Sequence, residues 1–211
     1  MEDSESGYSC LAQNPMDREK FCSSSQVIDD ADNGIMLWDV NPKSWEDGDA
    51  DFGKRGQANK RQRTDIASIS PIAVMKCQNG VQSMAWAAQS TLIAGCVDHQ
   101  LKVFDIEKLQ AQASIFTNHK VVTAIDSNFS NQNSLVLGAH EDGVVKLYDL
   151  RQAQAKQTKT FECHERYISQ VKINPCAENV FITCALDGQL KLWDMRNEQA
   201  PLSVLKRAAS A

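Results

Sequence analysis

A short motif recurs four times in this chain, and its spacing restricts the possible folds more than any other sequence feature. In each copy an aspartate stands six residues before an aromatic–aspartate pair that ends an apolar strand. In the last copy Gly188 follows Asp187, and glycine suits a tight turn because it adopts positive φ without steric cost. The four copies are Asp32–Val40, Asp98–Ile106, Asp142–Leu150 and Leu186–Met195. One copy would predict a hairpin, whereas four predict a repeat protein.

The interval between copies predicts the size of the repeating unit. The aromatic residues stand at positions 38, 104, 148 and 193, so the last two intervals are 44 and 45 residues. The first interval, 66 residues, equals one such period plus a low-complexity insertion at about 41–65. Short strands rich in β-branched residues, separated by Gly, Asn, Asp or Pro, fill each period. A period of ~40–45 residues with four strands is typical of a β-propeller blade.

Composition excludes several classes of protein. The net charge of −5 over 211 residues does not predict a nucleic-acid binder, and no apolar run has the length of a membrane span. The first ten residues are acidic and do not resemble a signal peptide, so we expect a soluble intracellular protein. Its seven cysteines form no C-x-x-C pair and are expected to be reduced. Cys163 beside His164 is interpreted as packing rather than metal binding.

The repeats define the blade region of the chain, the insertion within it and the segments before and after it. Residues 1–20 are predicted to be disordered or the frayed remains of an earlier repeat. Residues 21–205 are predicted to form blades, with the acidic-then-basic insertion 41–65 as a solvated loop and 206–211 as a tail. This length suffices for about three complete blades plus part of another. Because propellers close with ~4–8 blades, we expect a fragment of a larger ring or completion by another chain.

From about Phe21 to Leu205 the chain resembles the WD40 family, whose fold is an all-β propeller. In that family a hydrogen-bond chain links a Trp, a Ser or Thr, a His and the turn Asp of each blade. The resemblance assigns every member of this network in the last blade, namely Trp193, Thr183, His164 and Asp187. A connected set is needed because each buried polar group costs free energy unless it is paired.

The third blade keeps only part of this pattern. The resemblance assigns His119 and Asp142 to its network, but Gly138 replaces the hydroxyl residue and Tyr148 replaces the Trp.

The first two blades depart further. In the second, residues 78–80 stand where the His is expected and Ala94 where the hydroxyl is, while Phe104 cannot donate a hydrogen bond. The first keeps Trp38 and Asp32 without an upstream partner. We expect both blades to depend more on apolar packing.

The Asp–His–Thr set imitates a catalytic relay, but its spacing matches the blade network at every step. No nucleophile motif, phosphate-binding Gly loop or paired metal ligands stand elsewhere in the sequence. We therefore expect no catalytic, cofactor-binding or metal-binding residues, and no enzymatic activity.

One WD40 subfamily resembles the chain more closely than the others. Its members assemble with a Pescadillo-type and a Bop-type protein in the PeBoW complex, which acts in maturation of the large ribosomal subunit. An insertion that turns from acidic to basic and ends in a Lys/Arg run followed by Pro-Ile is an unusual shared detail. The matching stretches are FCSSS…GIMLWDV, KRQRTDIASISPI (Lys60–Ile72), VQSMAW and ISQVKINP…LDGQLKLWDMRNEQAPL (Ile168–Leu202).

This resemblance implies a scaffold of the nucleus, nucleolus and nucleoplasm that docks on the Bop-type WD40 protein and the Pescadillo-type protein, and through them on pre-60S particles. The family's ubiquitin-like domain binds the ATPase midasin, but residues 1–20 do not match that domain. A clustered nuclear import signal is predicted in the insertion, and an ordinary charged loop is the alternative. Its basic residues are Lys54, Arg55, Lys60, Arg61 and Arg63. Direct RNA contact is a weaker interpretation, because no aromatic side chains alternate with these cations.

Two other binding functions remain open. Arg151 and Arg196 each follow Asp149 or Asp194 by two residues, which resembles the paired motif of WD40 substrate receptors of cullin-based ubiquitin ligases. The alternative is that each Arg pairs with a carboxylate at the blade rim and contributes little.

The second open function is that of a generic WD40 adaptor, which binds peptides through loops at the rim. For this function His99 and Tyr167 are candidate contact residues.

Overall fold

The computed structural model describes residues 7–26, 34–39, 71–77, 80–117, 120–128, 135–151, 156–177 and 179–206. Within these ranges the chain forms sixteen strands and no helix. The strands make four antiparallel sheets, and each sheet uses four consecutive strands in chain order. In the second, third and fourth sheets the recurring motif forms the turn between the second and third strands and then the third strand itself. The Asp-Gly pairs at 142–143 and 187–188 predict two of these turns.

The four sheets follow one another from the N-terminus. The first contains β1 (Gly7–Gln13), β2 (Lys20–Gln26), β3 (Gly34–Asp39) and β4 (Ala73–Lys76). The second contains β5 (Val81–Ala88), β6 (Thr91–Cys96), β7 (Gln100–Asp105) and β8 (Gln110–Phe116). The third contains β9 (Val122–Ser127), β10 (Leu135–His140), β11 (Val144–Asp149) and β12 (Lys156–Glu162). The fourth contains β13 (Ile168–Ile173), β14 (Val180–Ala185), β15 (Gln189–Asp194) and β16 (Ser203–Lys206).

Strand β1 corrects the interpretation of residues 1–20. This segment was expected to be disordered or left over from an earlier repeat, but Gly7–Gln13 pairs with β2 in register Leu11↔Ser23 and Ala12↔Cys22. Ala12 is buried, whereas Leu11 is 66% exposed. The strand has too few large apolar residues to be recognised by alternation, and its pairing with β2 holds it in place.

The first sheet also changes the blade count. Four complete four-stranded sheets are present where the sequence predicted about three and part of another. The insertion enters between β3 and β4, within one sheet. Strand β4 returns from the insertion to pair with β3 in register Met36↔Val74, and the Ile72 backbone N–H donates to the Leu37 carbonyl at 2.8 Å. Residues 40–70 themselves lie outside the described ranges.

The first strands of successive sheets lie side by side, β1 with β5, β5 with β9 and β9 with β13. Hydrogen bonds connect them. The Trp86 indole N–H donates to the Ala12 carbonyl at 3.1 Å, and the Thr123 hydroxyl donates to the Ile168 carbonyl at 2.6 Å. A separate apolar cluster fills each of the three interfaces between neighbouring sheets. Sheets joined at their first strands and packed face to face are the arrangement of propeller blades, which confirms the predicted all-β propeller architecture.

Candidate functional site

The structure brings together three of the four residues predicted for the last blade's network. The His164 ring lies between Asp187 and Thr183, with Nδ1 2.7 Å from Asp187 Oδ2 and Nε2 2.8 Å from Thr183 Oγ1. The His164 side chain is fully buried. Because the carboxylate only accepts, Nδ1 carries a proton and donates to Asp187, while Nε2 shares a second hydrogen bond with the Thr183 hydroxyl. The ring therefore connects the crossover before β13 to strand β14 and to the turn before β15.

Two features of the chain hold these residues in position. The Gly143 carbonyl accepts hydrogen bonds from the backbone N–H groups of Cys163 at 3.1 Å and His164 at 2.9 Å, which fixes the crossover. Burial opposes ionisation of Asp187, but hydrogen bonds from His164 and the Gln189 backbone N–H outweigh it and lower the Asp187 pKa. The carboxylate stays charged and keeps the imidazole oriented.

Trp193, the fourth predicted member, lies apart from this network. Its indole Nε1 is buried and has no hydrogen-bond partner within the described residues. The ring instead stacks on Phe181, with centroids 6.3 Å apart and planes at 12°, and Phe161 packs on both edge-on. Trp193 thus contributes to the blade through aromatic packing.

In the third blade, His140 makes a buried contact that was not predicted. His119 lies outside the described residues, while Asp142 accepts from the Val144 backbone N–H at 3.4 Å and shapes the turn. His140 on β10 is fully buried, and its Nε2 lies 3.4 Å from the Tyr148 hydroxyl. Burial, assisted by the nearby Lys146 ammonium, lowers the His140 pKa to about 4.

Gly138 makes room for this pair. A Cβ at Gly138 would lie 3.2 Å from the Tyr148 ring and 3.8 Å from His140 Nε2. Glycine at the hydroxyl position therefore leaves the space that the tyrosine at the Trp position fills. Their joint departure from the repeat is the signal that could have identified His140.

In the first blade the structure corrects the prediction that Trp38 has no upstream partner. The Trp38 indole N–H donates to Ser23 Oγ at 2.7 Å, and Phe21 stacks on the indole with centroids 5.9 Å apart. Ser23 was missed because it is one of three consecutive serines that obscure the strand pattern of β2. Asp32 lies outside the described residues.

The second blade depends on apolar packing, as its sequence suggests. Ala94 and Phe104 are buried in the core between the first two sheets. The remaining predicted positions, Gln78 and Asn79, lie outside the described residues.

A series of lysines at one position of the third strands was not predicted. Each lysine reaches the residue that follows the outer strand of the preceding sheet. Nζ of Lys191 lies 2.6 Å from the Cys163 carbonyl oxygen, and Nζ of Lys146 lies 3.4 Å from the Thr117 carbonyl oxygen. Lys102 contacts the corresponding Cys77 sulfur at 4.0 Å. The recurrent lysine before an aliphatic–aromatic–Asp sequence was the available signal.

The two Asp-x-Arg pairs have the same geometry in consecutive blades. In each, the Arg Nε donates to Asp Oδ1 at 3.0 Å and Nη2 donates to Oδ2 at 2.7 Å. The Arg196 guanidinium lowers the Asp194 pKa to about 2. Both Arg151 and Arg196 side chains are more than half exposed. Each guanidinium is held by its own blade, which agrees with the rim-pair interpretation and leaves the outer edge of each Arg facing solvent.

The remaining candidates lie at turns. His99 has a positive φ of 62°, and its carbonyl accepts from the Thr117 hydroxyl at 2.7 Å. Tyr167 is 39% exposed at the start of the last blade. The predicted import signal lies outside the described residues.

In the described part of the chain, no group of three or more His, Cys, Asp and Glu side chains is placed to hold a metal ion. Nor do these residues contain a helix that is long and apolar enough to span a membrane.

Comparison with known proteins agrees with this architecture. A family model described as a β-propeller domain matches residues 73–207, which is more than half of the chain. The chain therefore belongs to the β-propeller family, and its four blade motifs make it a WD-repeat protein.

Its relatives include ribosome biogenesis proteins named WDR12 homolog. Identity is 32% over 168 residues with the Drosophila erecta protein, 31% over 167 with that of Drosophila persimilis and 28% over 167 with that of Drosophila mojavensis. Each match covers 78% of this chain and 38% of the relative. The predicted resemblance to the WD-repeat ribosome biogenesis proteins is confirmed.

Proposed function

We propose that this protein is a non-enzymatic WD-repeat scaffold in assembly of the large ribosomal subunit. The similarity to ribosome biogenesis proteins over 78% of the chain carries this proposal. The partners are a Bop-type WD40 protein and a Pescadillo-type protein, and through them pre-60S particles. The protein acts in the nucleus, in the nucleolus and nucleoplasm. The match covers 38% of each relative's length.

The geometry of the Asp–His–Thr set supports a structural role. The His164 side chain is fully buried and Thr183 is 1% exposed. A nucleophilic hydroxyl and its base must both reach a substrate, and neither of these side chains faces solvent. Their hydrogen bonds connect parts of one blade, which is what a scaffold needs to present a fixed surface.

Affinity purification of the tagged full-length protein tests the scaffold role. We expect recovery of the Bop-type and Pescadillo-type proteins, and accumulation of large-subunit rRNA precursors when the protein is depleted. Absence of both partners from the purified material would contradict the proposal.

The two exposed arginines distinguish the ubiquitin-ligase alternative. Under the scaffold proposal, the double substitution Arg151→Ala and Arg196→Ala leaves recovery of the Bop-type protein unchanged. If the protein is instead a ligase receptor, a cullin adaptor is recovered with the wild-type protein and lost with this variant.

Nuclear import is proposed to depend on Lys54, Arg55, Lys60, Arg61 and Arg63. Replacing all five with Ala should leave a fluorescently tagged protein in the cytoplasm, as seen by microscopy. Removal of nearby acidic residues Glu46, Asp47 and Asp49 is the matched control and should leave import intact. Normal nuclear accumulation of the five-residue variant would remove the import assignment.

A further inference from the structure

We propose that Cys77 and Cys96 are a redox-sensitive pair, which hydrogen peroxide oxidises to a disulfide that joins the first and second sheets. Cys77 directly follows β4, the outer strand of the first sheet, and Cys96 is the last residue of β6 in the second. Their two Sγ atoms are 3.5 Å apart and share a hydrogen bond. Both residues are thiols in the structure, and the sulfurs must approach to ~2 Å to form the bond.

The repeat sets the position of this pair, but only the first of the three interfaces between sheets has sulfur at both places. The residue that follows the outer strand of the first, second and third sheets is, in turn, Cys77, Thr117 and Cys163. The last residue of the second strand in the second, third and fourth sheets is Cys96, His140 and Ala185. Cys163 is therefore a matched reference, because it has the same place and the same burial as Cys77 but an alanine at the second position.

A lysine ammonium lies beside the pair. Lys102 Nζ is 4.0 Å from Cys77 Sγ, and Asp98 Oδ2 holds the same ammonium at 2.9 Å. In the third interface the equivalent Lys191 donates to the backbone carbonyl of Cys163 instead. A cation next to a sulfur favours the thiolate, which is the nucleophilic form of cysteine. The charge is therefore placed to assist Cys77.

The two sulfurs have different roles in the reaction. The hydrogen bond to Cys77, together with burial, raises the pKa of Cys96, so Cys96 keeps its proton and Cys77 reacts first. The Cys77 thiolate attacks one oxygen of hydrogen peroxide. The S–O bond forms as the O–O bond breaks, and the departing hydroxide takes up the proton that Cys77 released.

The second step closes the disulfide. The Cys96 sulfur attacks the sulfenic sulfur of Cys77, the S–S bond forms and the S–O bond breaks. The departing hydroxide leaves as water with the Cys96 proton. In total the two thiols lose two electrons, and one peroxide is reduced to two waters.

Burial makes this response slow compared with that of a surface thiol. Cys77 is 2% exposed and Cys96 is 0% exposed, so peroxide reaches them when the interface opens transiently. Cys176 is exposed and meets peroxide directly. Once formed, the disulfide hinders separation of the first two sheets, because it removes open conformations of the chain.

Mass spectrometry of the oxidised full-length protein tests the proposal. Trypsin cleaves after Lys76 and Lys102, so one peptide, residues 77–102, carries both cysteines. The protein is treated with hydrogen peroxide, unfolded in iodoacetamide and digested without reductant. This peptide should then have lost two hydrogens and taken no alkyl group, and dithiothreitol should restore both alkylation sites. Cys163 in peptide 160–166 is the matched control and should still be alkylated.

Two lysine substitutions test the role of the charge. Lys102→Met removes the cation beside Cys77 and should slow formation of the disulfide about tenfold. Lys191→Met removes the equivalent lysine of the third interface, and should leave the rate within about twofold of wild type.

Four results would overturn the inference. They are a peptide 77–102 that is still fully alkylated when Cys176 is oxidised, loss of Cys163 alkylation at the same rate, an unchanged rate in a Lys102→Met protein that melts like wild type, and linkage of Cys77 to a cysteine other than Cys96. None of these measurements involves ribosome assembly, so the inference and the proposed function can fail separately.

Discussion

Two buried histidines in this propeller meet opposite electrostatic surroundings. His164 lies 2.7 Å from the Asp187 carboxylate and 2.8 Å from the Thr183 hydroxyl. His140 faces the neutral Tyr148 hydroxyl and the Lys146 ammonium, which disfavour a second positive charge. His164 therefore stabilises the folded blade through its hydrogen bonds. His140 stays neutral, because a charge on its ring would be buried beside the Lys146 ammonium.

Loss of either partner in the last blade should destabilise the protein. His164→Ala or Asp187→Ala leaves a buried polar group without its hydrogen bond, which costs ~1–3 kcal/mol in the free energy of unfolding. Urea denaturation followed by fluorescence measures this change. Leu186→Ala, at a 66% exposed residue of the same hairpin, is the control and should have little effect. Identical midpoints for all variants would contradict the role of the network.

The neutral His140 predicts sensitivity to acid. Its pKa is about 4 in the folded state against 6.5 in the unfolded chain, so the unfolded state binds the proton more readily below pH 6.5. The stability associated with the neutral ring is complete above pH 6.5 and is lost as the pH falls toward 4. The loss amounts to about 3 kcal/mol at most. Lys146, Tyr148 and Asp142 are the other titratable groups around the ring.

Unfolding measured at pH 7 and pH 5 tests this expectation. His140→Gln should reduce the difference in unfolding free energy between the two pH values, whatever its effect at pH 7. A wild-type protein whose stability is equal at both values would show that the ring is protonated when folded.

At the scale of the elements, the turns connect one blade to the next. Gly143 lies in the turn between β10 and β11 of the third sheet, and its carbonyl accepts from Cys163 and His164 in the crossover to the fourth. Gly188, in the equivalent turn of the last sheet, has no atom within 4 Å of an added Cβ. The same turn type is therefore an inter-blade contact in one sheet and an open hairpin in another.

Substitution at these two glycines should have unequal effects. Both have positive φ, 86° for Gly143 and 73° for Gly188, so alanine costs ~1 kcal/mol at either. At Gly143 the new Cβ would also overlap the His164 carbonyl oxygen and displace the crossover. Gly143→Ala should therefore lower the melting temperature clearly more than Gly188→Ala does. Equal melting temperatures would show that the crossover adjusts without cost.

At the scale of the whole molecule, the sheets cohere through apolar interfaces and through polar links along their first strands. Each interface has its own buried cluster, such as Phe161, Phe181 and Trp193 between the third and fourth sheets. Asp126 on β9 links the same two sheets, because Oδ2 accepts from the Ile173 backbone N–H at 2.7 Å and Oδ1 from Lys172 Nζ at 3.0 Å.

Removing this carboxylate should loosen the fourth sheet from the third. Asp126→Ala leaves the Ile173 N–H without its acceptor, at a cost of ~1–2 kcal/mol. Hydrogen exchange should become faster at Ile173 and its neighbours in β13 than in the second sheet. Lys172→Ala, which removes only a largely exposed cation, is the control and should leave the Ile173 amide protected. Equal exchange in both variants and wild type would contradict the link.

Much of the architecture could be predicted because the signals of each repeat come from residues that are close together in the sequence. From Ile72 onward each period contains the four short strands that the repeat predicts, since alternating apolar residues and Asp-Gly turns depend on nearby sequence. The same local signal failed at β1, where small and polar residues pair with β2 without an alternation that can be recognised.

The amino-acid sequence by itself determined the strand order, the four phased motifs and the residues His164, Thr183 and Asp187 that meet in the last blade. Only the tertiary structure decided that Ser23 accepts from Trp38, that His140 lies beside Tyr148 in the core of the third blade and that three lysines reach the preceding sheet. The reason is physical. Local periodicity fixes which way a side chain points, but partners across strands and between sheets are selected by packing over distances that no single repeat encodes.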